Sequence, residues 1–317
     1  MIEAIKRIKF SYALYNFFHK KELIHNEKIY RQLGLNKKYY SPISSKDFAN
    51  ISREKINELT QKKQQLSIQE CDLYKSLDNE SQNSLDQFEE KGFSVIKKYL
   101  SINQVNQINS EIDALLANKT IKFRYGNKLM FVIHHSALLQ KIATDPKLME
   151  LLGACIEGKP VLFQSINFIH GSEQATHSDS IHMTTFPLGG LLGVWIALDD
   201  IGDDNGALHY YPGSHKLPYY LNKDYDNEGS KLLIGDKTYD KYEEMIAEKI
   251  KDLHLPKEKF YAKKGDLLVW HANLFHGGDK HLDKNKTRKS VVFHYFREQS
   301  ICYHEITQRP ALLKNFD

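Results

Sequence analysis

Apolar residues in the first quarter of the chain recur at helical spacing. One set falls at steps of three and four residues, as a single helix face requires: Ile5, Ile8, Tyr12, Tyr15 and Phe18. Pro42 and a serine cluster interrupt the pattern, and residues 52–67 predict a second, polar helix. We interpret residues 1–84 as a helical extension. Its first, amphipathic helix could lie on a membrane surface, but we favour packing on the protein's own body.

From about residue 85 the pattern changes. The run "FEEKGFSVIKKYLS" predicts a helix end, a turn at Gly92 and a short strand. A helix-start signature follows, because the hydroxyl of Ser101 can accept from an amide in the first turn while Gln104 reaches back. The helix that begins there has one apolar face: Val105, Ile108, Ile112 and Leu115.

Beyond residue 120 the pattern predicts mainly strands and turns. Short β-branched or aromatic runs, separated by Gly, Pro, Asp and Asn, include "VLFQSINFIHG", "LLGVWIALDDI", "GALHYYPGSH", "GDLLVWHANLFHGG" and "RKSVVFHYF". Strands without alternating helices favour an antiparallel sandwich or jelly roll. We expect one such domain over residues 85–300, interrupted at about 219–250 by a lid-like insertion, and a tail over 301–317.

Composition and charge narrow the class of protein. Hydrophobic residues make up 41% of the 317 residues and charged residues 26%, as in a folded soluble protein. No apolar run approaches the roughly 18 residues of a membrane span, and the first residues lack the features of a secretory signal. Three widely spaced cysteines without a CxxC pair indicate a reducing compartment: Cys71, Cys155 and Cys302. We expect a cytoplasmic protein.

The net charge of +4 is unevenly distributed. Residues 1–75 hold 15 Lys and Arg against 8 Asp and Glu, a balance of +7. This indicates either contact with an anionic surface or partner or simply a solvated basic helix face, and we favour the second. No nucleic-acid recognition motif accompanies the basic residues, so we expect no nucleic-acid partner.

Candidate metal ligands stand out in "ATHSDSIHM". On a strand, His177 and Asp179 would leave the same face and could hold one ion, although an H-x-D triplet often occurs by chance. His276 ends a later apolar run, and Arg288 follows twelve positions on. Two histidines and one carboxylate form the facial triad of non-haem Fe(II) oxygenases, which leaves metal positions open. A guanidinium suits the far carboxylate of a keto-acid cosubstrate.

These motifs, in this order, resemble the phytanoyl-CoA dioxygenase family of Fe(II)/2-oxoglutarate-dependent oxygenases, particularly its bacterial branch. The resemblance covers about residues 85–298. It implies a double-stranded β-helix, a cupin-like jelly roll of eight strands with flanking helices. It also implies that His177, Asp179 and His276 bind Fe(II), that Arg288 binds the C5 carboxylate of 2-oxoglutarate, and that Asn167 contacts this cosubstrate. With O₂ as second cosubstrate, the reaction implied is hydroxylation of an unactivated C–H bond.

Two positions depart from or refine the family pattern. Many members carry a serine where this chain has Gly278, so a hydroxyl that assists Arg288 has to come from elsewhere. Related halogenases have Ala or Gly at the carboxylate position, whereas Asp179 is a true carboxylate. The resemblance therefore favours hydroxylation over halogenation.

Four other residues near these motifs are interpreted as structural or as lining the site, and not as metal ligands. Counting along one strand places His271 on the opposite face from His276, which indicates a structural role. His182 either lines the substrate entrance or is simply exposed. Pro212 belongs to a turn, and Trp195 is predicted to be core rather than a wall of the cosubstrate pocket.

Two alternative functions stay open at this stage. A cupin-like isomerase or hydrolase would use the same metal ligands, but it needs no buried guanidinium for a dicarboxylate. A catalytically idle binding module has no reason to keep the three ligands and the arginine together. The substrate, whether a small molecule or related to glycans or lipids, has no readable signature, and the oligomeric state is open.

Overall fold

A seven-stranded antiparallel sheet lies at the centre of the structure, a computed structural model that describes residues 7–60 and 66–314. In pairing order its strands are β1 (Phe93–Ile96), β9 (Leu267–His271), β6 (Leu191–Ala197), β11 (Ser290–Arg297), β4 (Pro160–Phe168), β3 (Lys128–Met130) and β2 (Phe123–Arg124). One three-stranded sheet contains β10 (His276–Gly278), β7 (Leu208–Tyr210) and β8 (Glu258–Phe260). Another contains β13 (Arg309–Pro310), β12 (Ile301–His304) and β5 (Thr184–Phe186).

The α-helices described precede or interrupt these strands. They are α1 (Lys9–Phe18), α2 (Asn26–Leu33), α3 (Arg53–Leu59), α4 (Asp72–Lys75), α5 (Asn79–Asp86), α6 (Phe88–Lys91), α7 (Ile102–Ala117), α8 (Ala137–Ala143), α9 (Pro146–Cys155) and α10 (Tyr239–Asp252). The predicted start of α7 is confirmed, since the Ser101 hydroxyl accepts from the Gln104 N–H at 3.3 Å and Gln104 returns to the Ser101 N–H at 3.0 Å. No described helix is long and apolar enough to cross a bilayer, and a cytoplasmic location stays a prediction.

Side-chain alternation gives the large sheet two buried faces. Val194 points toward the helices and packs in one core with Ile108 of α7 and Leu152 of α9. Its neighbour Trp195 points the other way and packs with Phe260 of the β10-β7-β8 sheet. The prediction of a mainly β protein with flanking helices is therefore confirmed, while the jelly-roll strand order stays a prediction.

The predicted boundary at residue 84 does not separate two cores. Cys71, before α4, and Leu85, within α5, lie on either side of that boundary and belong to the same core on the helix side of the large sheet. Farther upstream, Ile29 and Leu33 of α2 pack with Tyr303 of β12. Residues 301–314, the described part of the predicted tail, form β12 and β13, and both strands contact the helical extension.

The apolar stripe of the first helix is not buried as we expected. Ile5 lies outside the described residues, while Tyr15 and Phe18 of α1 are exposed. The buried residue of this helix is Asn16. Periodicity located the amphipathic helix correctly, and Arg309 packs on Tyr12 and Tyr15 of the stripe, but the body of the protein covers the stripe only in part.

The predicted 219–250 insertion contains most of α10 and contributes to the core beside β10. Tyr242 and Ile246 of this helix are buried with Ile181 and Phe275. Its role as a lid stays a prediction, but the structure places it against the segment that carries the H-x-D triplet.

Candidate metal centre

A backbone bridge brings the two predicted histidine ligands side by side. The N–H of His177 donates to the carbonyl of His276 at 2.9 Å, and the reverse bond is also 2.9 Å. The predicted strand is only this bridge, because Asp179 opens a short 3₁₀ turn, Asp179–Ile181. The Ser178 hydroxyl starts that turn by accepting from the Ser180 N–H at 3.2 Å. The turn, rather than strand alternation, directs Asp179 toward both imidazoles.

Each imidazole has the tautomer that a metal needs. Nδ1 lies 2.9 Å from the carbonyl of Ala175 in His177 and 2.9 Å from that of Leu274 in His276. Because a carbonyl only accepts, each Nδ1 carries the proton and Nε2 keeps its lone pair. Both Nε2 atoms are 3.6 Å from Oδ1 of Asp179. The three ligand atoms lie within 4.8 Å of one another and could hold one ion.

The electrostatics favour a carboxylate beside a neutral imidazole. Burial disfavours the charged ring and lowers the pKa of His276 to about 4. Burial alone would raise the pKa of Asp179, but His276, His177 and His294 outweigh it and hold this pKa well below the usual range. At neutral pH both side chains are therefore deprotonated, which is the state that binds a metal.

Two side chains of the large sheet hold the other oxygen of Asp179. The indole N–H of Trp270 donates to Oδ2 at 2.8 Å. Nε2 of His294 lies 3.7 Å from the same atom, and Nδ1 of His294 lies 3.2 Å from the Gln164 amide. With Oδ2 occupied in this way, Oδ1 is the atom presented to a metal.

We expect Trp270→Phe to weaken Fe(II) binding by about 10–100-fold, the usual effect of losing a hydrogen-bond partner of a metal ligand. The substitution keeps the aromatic bulk and removes the donor to Asp179. Anaerobic Fe(II) titration measures the effect. The matched control is Trp195→Phe, because the Trp195 Nε1 has no hydrogen-bond partner among the described residues. Equal Fe(II) affinity in wild type and Trp270→Phe would contradict this assignment.

Arg288 is buried in the wall of the same cavity. Its Nε donates to the carbonyl of Gly206 at 3.1 Å, its Nη1 lies 3.3 Å from the Ser290 hydroxyl, and its guanidinium lies over the Trp195 ring at 5.2 Å. Nη2 is buried with no partner in residues 7–60 and 66–314. Burial lowers the pKa of Arg288 to about 10, so the side chain stays cationic at neutral pH. It has a spare donor for an anion.

The cavity is about 550 Å³ including its opening, and it joins Arg288 to the three metal-ligand candidates. The hydroxyl of Ser172 belongs to this wall, next to Gly278. A Cβ at Gly278 would lie 2.6 Å from Oγ of Ser172, so Ser172 takes the space that a serine at 278 would need. Ser172 lines the cavity, and Ser290 contacts Arg288 directly.

The structure does not bring Asn167 to this cavity. Asn167 pairs with Val291 across β4 and β11, and Val291 belongs to the core on the helix side. Its neighbours Ile166 and Phe168 are the β4 residues that line the cavity. Strand alternation therefore turns the Asn167 amide away from this cavity.

The settings of Trp195 and His271 were predicted in part. Trp195 is core, as predicted, but it lines the cavity too. His271 ends β9 and His276 begins β10, so the two lie in different sheets and not on one strand. Residues 272–275 form the connection. His271 packs against the His215 ring at 5.5 Å, outside the metal-ligand group.

His182 lies beside the metal-ligand group and is half-buried. Its ring is 5.7 Å from that of His177, and its Nε2 is 3.0 Å from the Tyr239 hydroxyl of α10. Gln174 lies 3.2 Å from Nε2 of His177. Burial lowers the pKa of His182 well below the usual range. These side chains form a polar wall next to the candidate ligands.

Three residues of this centre were not among the candidates from the sequence. His294 had a signal, since it is a polar residue in an apolar strand at an even spacing from Arg288. Trp270 and Lys128 line the cavity as well, but nothing in their sequence context marks them. Burial lowers the pKa of Lys128.

Comparison with known proteins decides the family. The sequence model of the Phytanoyl-CoA dioxygenase (PhyH) family matches residues 88–290, which is more than half of the chain. The chain belongs to this family. The matched region of this PhyH-family protein contains the three metal-ligand candidates and Arg288. Its place in a bacterial branch stays a prediction.

Two curated relatives show how far the similarity extends. The chain is 33% identical over 94 residues to phytanoyl-CoA dioxygenase domain-containing protein 1 of Danio rerio, covering 28% of this chain and 32% of that protein. The match thus spans about a third of that relative's length. Ectoine dioxygenase of Halomonas elongata is 25% identical over 249 residues, covering 72% of this chain and 74% of that one.

A solved structure shows the same fold. The non-haem α-ketoglutarate-dependent carbocyclase SnoK of nogalamycin biosynthesis superposes with a TM-score of 0.58 at 14% identity. The superposition covers 72% of this chain and 87% of SnoK. At this identity the likeness concerns the fold of the PhyH-family protein and not its reaction.

Proposed function

We propose that this PhyH-family protein is an Fe(II)- and 2-oxoglutarate-dependent dioxygenase that hydroxylates an unactivated C–H bond. One observation carries the proposal: a single cavity holds two histidines and a carboxylate in ligand geometry, together with a buried arginine whose Nη2 is unpaired. In a non-oxidative isomerase or hydrolase, that guanidinium would have no carboxylate of a cosubstrate to bind. In a catalytically idle binding module, neither the three metal-ligand candidates nor the arginine would have a function.

The residues present fit both groups. Nε2 of His177, Oδ1 of Asp179 and Nε2 of His276 would hold Fe(II), and Arg288 would bind the far carboxylate of 2-oxoglutarate near the hydroxyl of Ser172. When bound, iron and 2-oxoglutarate supply the oxidising power that inserts an oxygen atom from O₂ into the C–H bond.

The protein's own task is to orient groups and exclude water. The backbone bridge and the Nδ1 hydrogen bonds set both imidazoles, and Trp270 with His294 orients Asp179. Trp195 and Trp270 line the cavity and keep it apolar around these polar groups. The polar wall of Gln174, His182 and Tyr239 adjoins His177 and would position a small-molecule substrate. Through Tyr239, the 219–250 insertion would take part in substrate binding.

We expect the product to carry oxygen from O₂ and no chlorine, even in high chloride, because Asp179 occupies the position that chloride would take. The test screens small molecules, glycans and lipids under ¹⁸O₂, following succinate release and product mass. Asp179→Gly should lose hydroxylation. A chlorinated product from the wild type would refute the assigned chemistry, and zinc-dependent turnover without 2-oxoglutarate would favour the non-oxidative alternative.

A further inference from the structure

Four apolar side chains project together from α1 into solvent. Phe10, Leu14, Phe17 and Phe18 fall at helical spacing on one face, and all four are exposed. Phe10 is 72% exposed and Phe18 is 75% exposed. Single exposed apolar residues are ordinary, but a contiguous group of this kind marks an interaction surface.

The helix is anchored through its other side. Arg309 of β13 lies over the rings of Tyr12 and Tyr15, at 5.8 and 4.7 Å, and Asn16 is buried. The Lys9 N–H donates to the carbonyl of Leu232 at 2.9 Å. These contacts hold α1 on the protein, while within residues 7–60 and 66–314 its phenylalanine face is exposed.

Basic side chains border this face. Residues 7–40 contain eight Lys and Arg against two Glu, a balance of +6, and α1 itself has no acidic residue. Lys20, Lys21 and Lys38 are exposed and form no ion pair within the described ranges. The Lys20 ammonium lies 5.1 Å from the Phe17 ring. Positive charge thus adjoins the apolar face, as in helices that lie in an anionic interface.

We propose that α1 is a peripheral docking surface for an anionic lipid bilayer. The rings of Phe10 and Phe18 would enter the interface, and the neighbouring lysines would contact the phosphate groups. A second copy of this chain suits the face less well, since a two-fold contact would bring two balances of +6 together. The proposal goes beyond the oxygenase function and does not depend on it.

Docking would also link the bilayer to the metal centre through a short series of contacts. The hairpin that holds α1 through Arg309 begins with β12, and His304 at the end of β12 packs 5.8 Å from the ring of His182. His182 in turn lies beside His177. One packed path therefore joins the docking surface to the polar wall of the site.

Co-sedimentation of the full chain with vesicles tests the proposal. Wild-type protein should sediment with phosphatidylcholine vesicles that contain phosphatidylglycerol, and much less with phosphatidylcholine alone. The double variant Phe10→Ser/Phe18→Ser should bind the anionic vesicles at least about tenfold more weakly. Lys20→Ala/Lys21→Ala should weaken binding by roughly tenfold and reduce its salt dependence.

Leu282→Ser is the matched control, because Leu282 is an apolar residue 68% exposed on a loop after β10. It should bind vesicles like the wild type, and circular dichroism should show that all variants keep their helix content. Failure of wild type to bind anionic vesicles, or undiminished binding by the phenylalanine variant, would overturn the proposal. So would a wild-type dimer that Phe10→Ser/Phe18→Ser converts to monomer without any vesicle binding, since the occupant would then be a second copy.

Discussion

Anaerobic addition of Fe(II) and 2-oxoglutarate is expected to give the weak visible charge-transfer band of a keto-acid chelate, and Asp179→Ala is expected to abolish it. The three ligand atoms lie within 4.8 Å of one another, and Asp179 supplies their negative charge. Its loss would leave two imidazoles, without a carboxylate, in the same cavity as the cationic Arg288. His177→Ala should abolish the band as well, because one histidine and one carboxylate cannot complete a facial triad.

His271→Ala is the control for this experiment. His271 packs against His215 and lies outside the metal-ligand group, so its loss should leave one Fe(II) per chain and the band unchanged. Thermal unfolding of each variant separates loss of metal from loss of fold. A wild type that retains only zinc after anaerobic iron reconstitution, without the band, would refute the iron site.

Arg288→Ala should lower the affinity for 2-oxoglutarate by roughly thirty-fold to a few thousand-fold. Removing one side of a buried charge pair costs about 2–5 kcal/mol, and each 1.4 kcal/mol is about a factor of ten. The structure supports this range because Arg288 is fully buried with an unpaired Nη2. Arg288→Lys keeps the charge but loses the planar fork, so it should weaken binding by less.

Titration of 2-oxoglutarate into iron-loaded protein without oxygen measures this effect. Iron affinity should barely change, since Arg288 is not a ligand. Arg297→Ala offers a matched control: Arg297 is a buried arginine at the end of β11 whose Nε lies 3.4 Å from Ser300, and it does not line the cavity. If Arg288→Ala bound 2-oxoglutarate as tightly as the wild type, the non-oxidative alternative would regain ground.

Much of the fold could be read from local patterns. The capping pair Ser101 and Gln104, the turn at Gly92 and the alternating runs are interactions between near neighbours in sequence, and the structure confirms them. The packing of the helical extension and of the residues after 300 could not be read from local patterns, for the opposite reason. It depends on contacts such as Leu33 with Tyr303, which are distant in sequence.

The candidate site, too, could be predicted from the sequence only in part. The motif spacing identified His177, Asp179, His276 and Arg288, and the structure gathers all four around one cavity. We interpreted the apolar run that ends at His276 as one strand, but it forms two strands, β9 and β10, which belong to different sheets. A turn inside an apolar run has too weak a local signal to be seen.

By itself, the sequence determined the class of fold, the resemblance to the PhyH family, and the types and order of the residues that could bind a metal and an anion. Only the tertiary structure decided that Trp270 and His294 hold Asp179, that Ser172 fills the space beside Gly278, and that Asn167 faces away. It also decided that Phe10, Leu14, Phe17 and Phe18 of α1 are exposed. Periodicity shows that a face is apolar, but whether another part of the chain covers it depends on how distant elements pack.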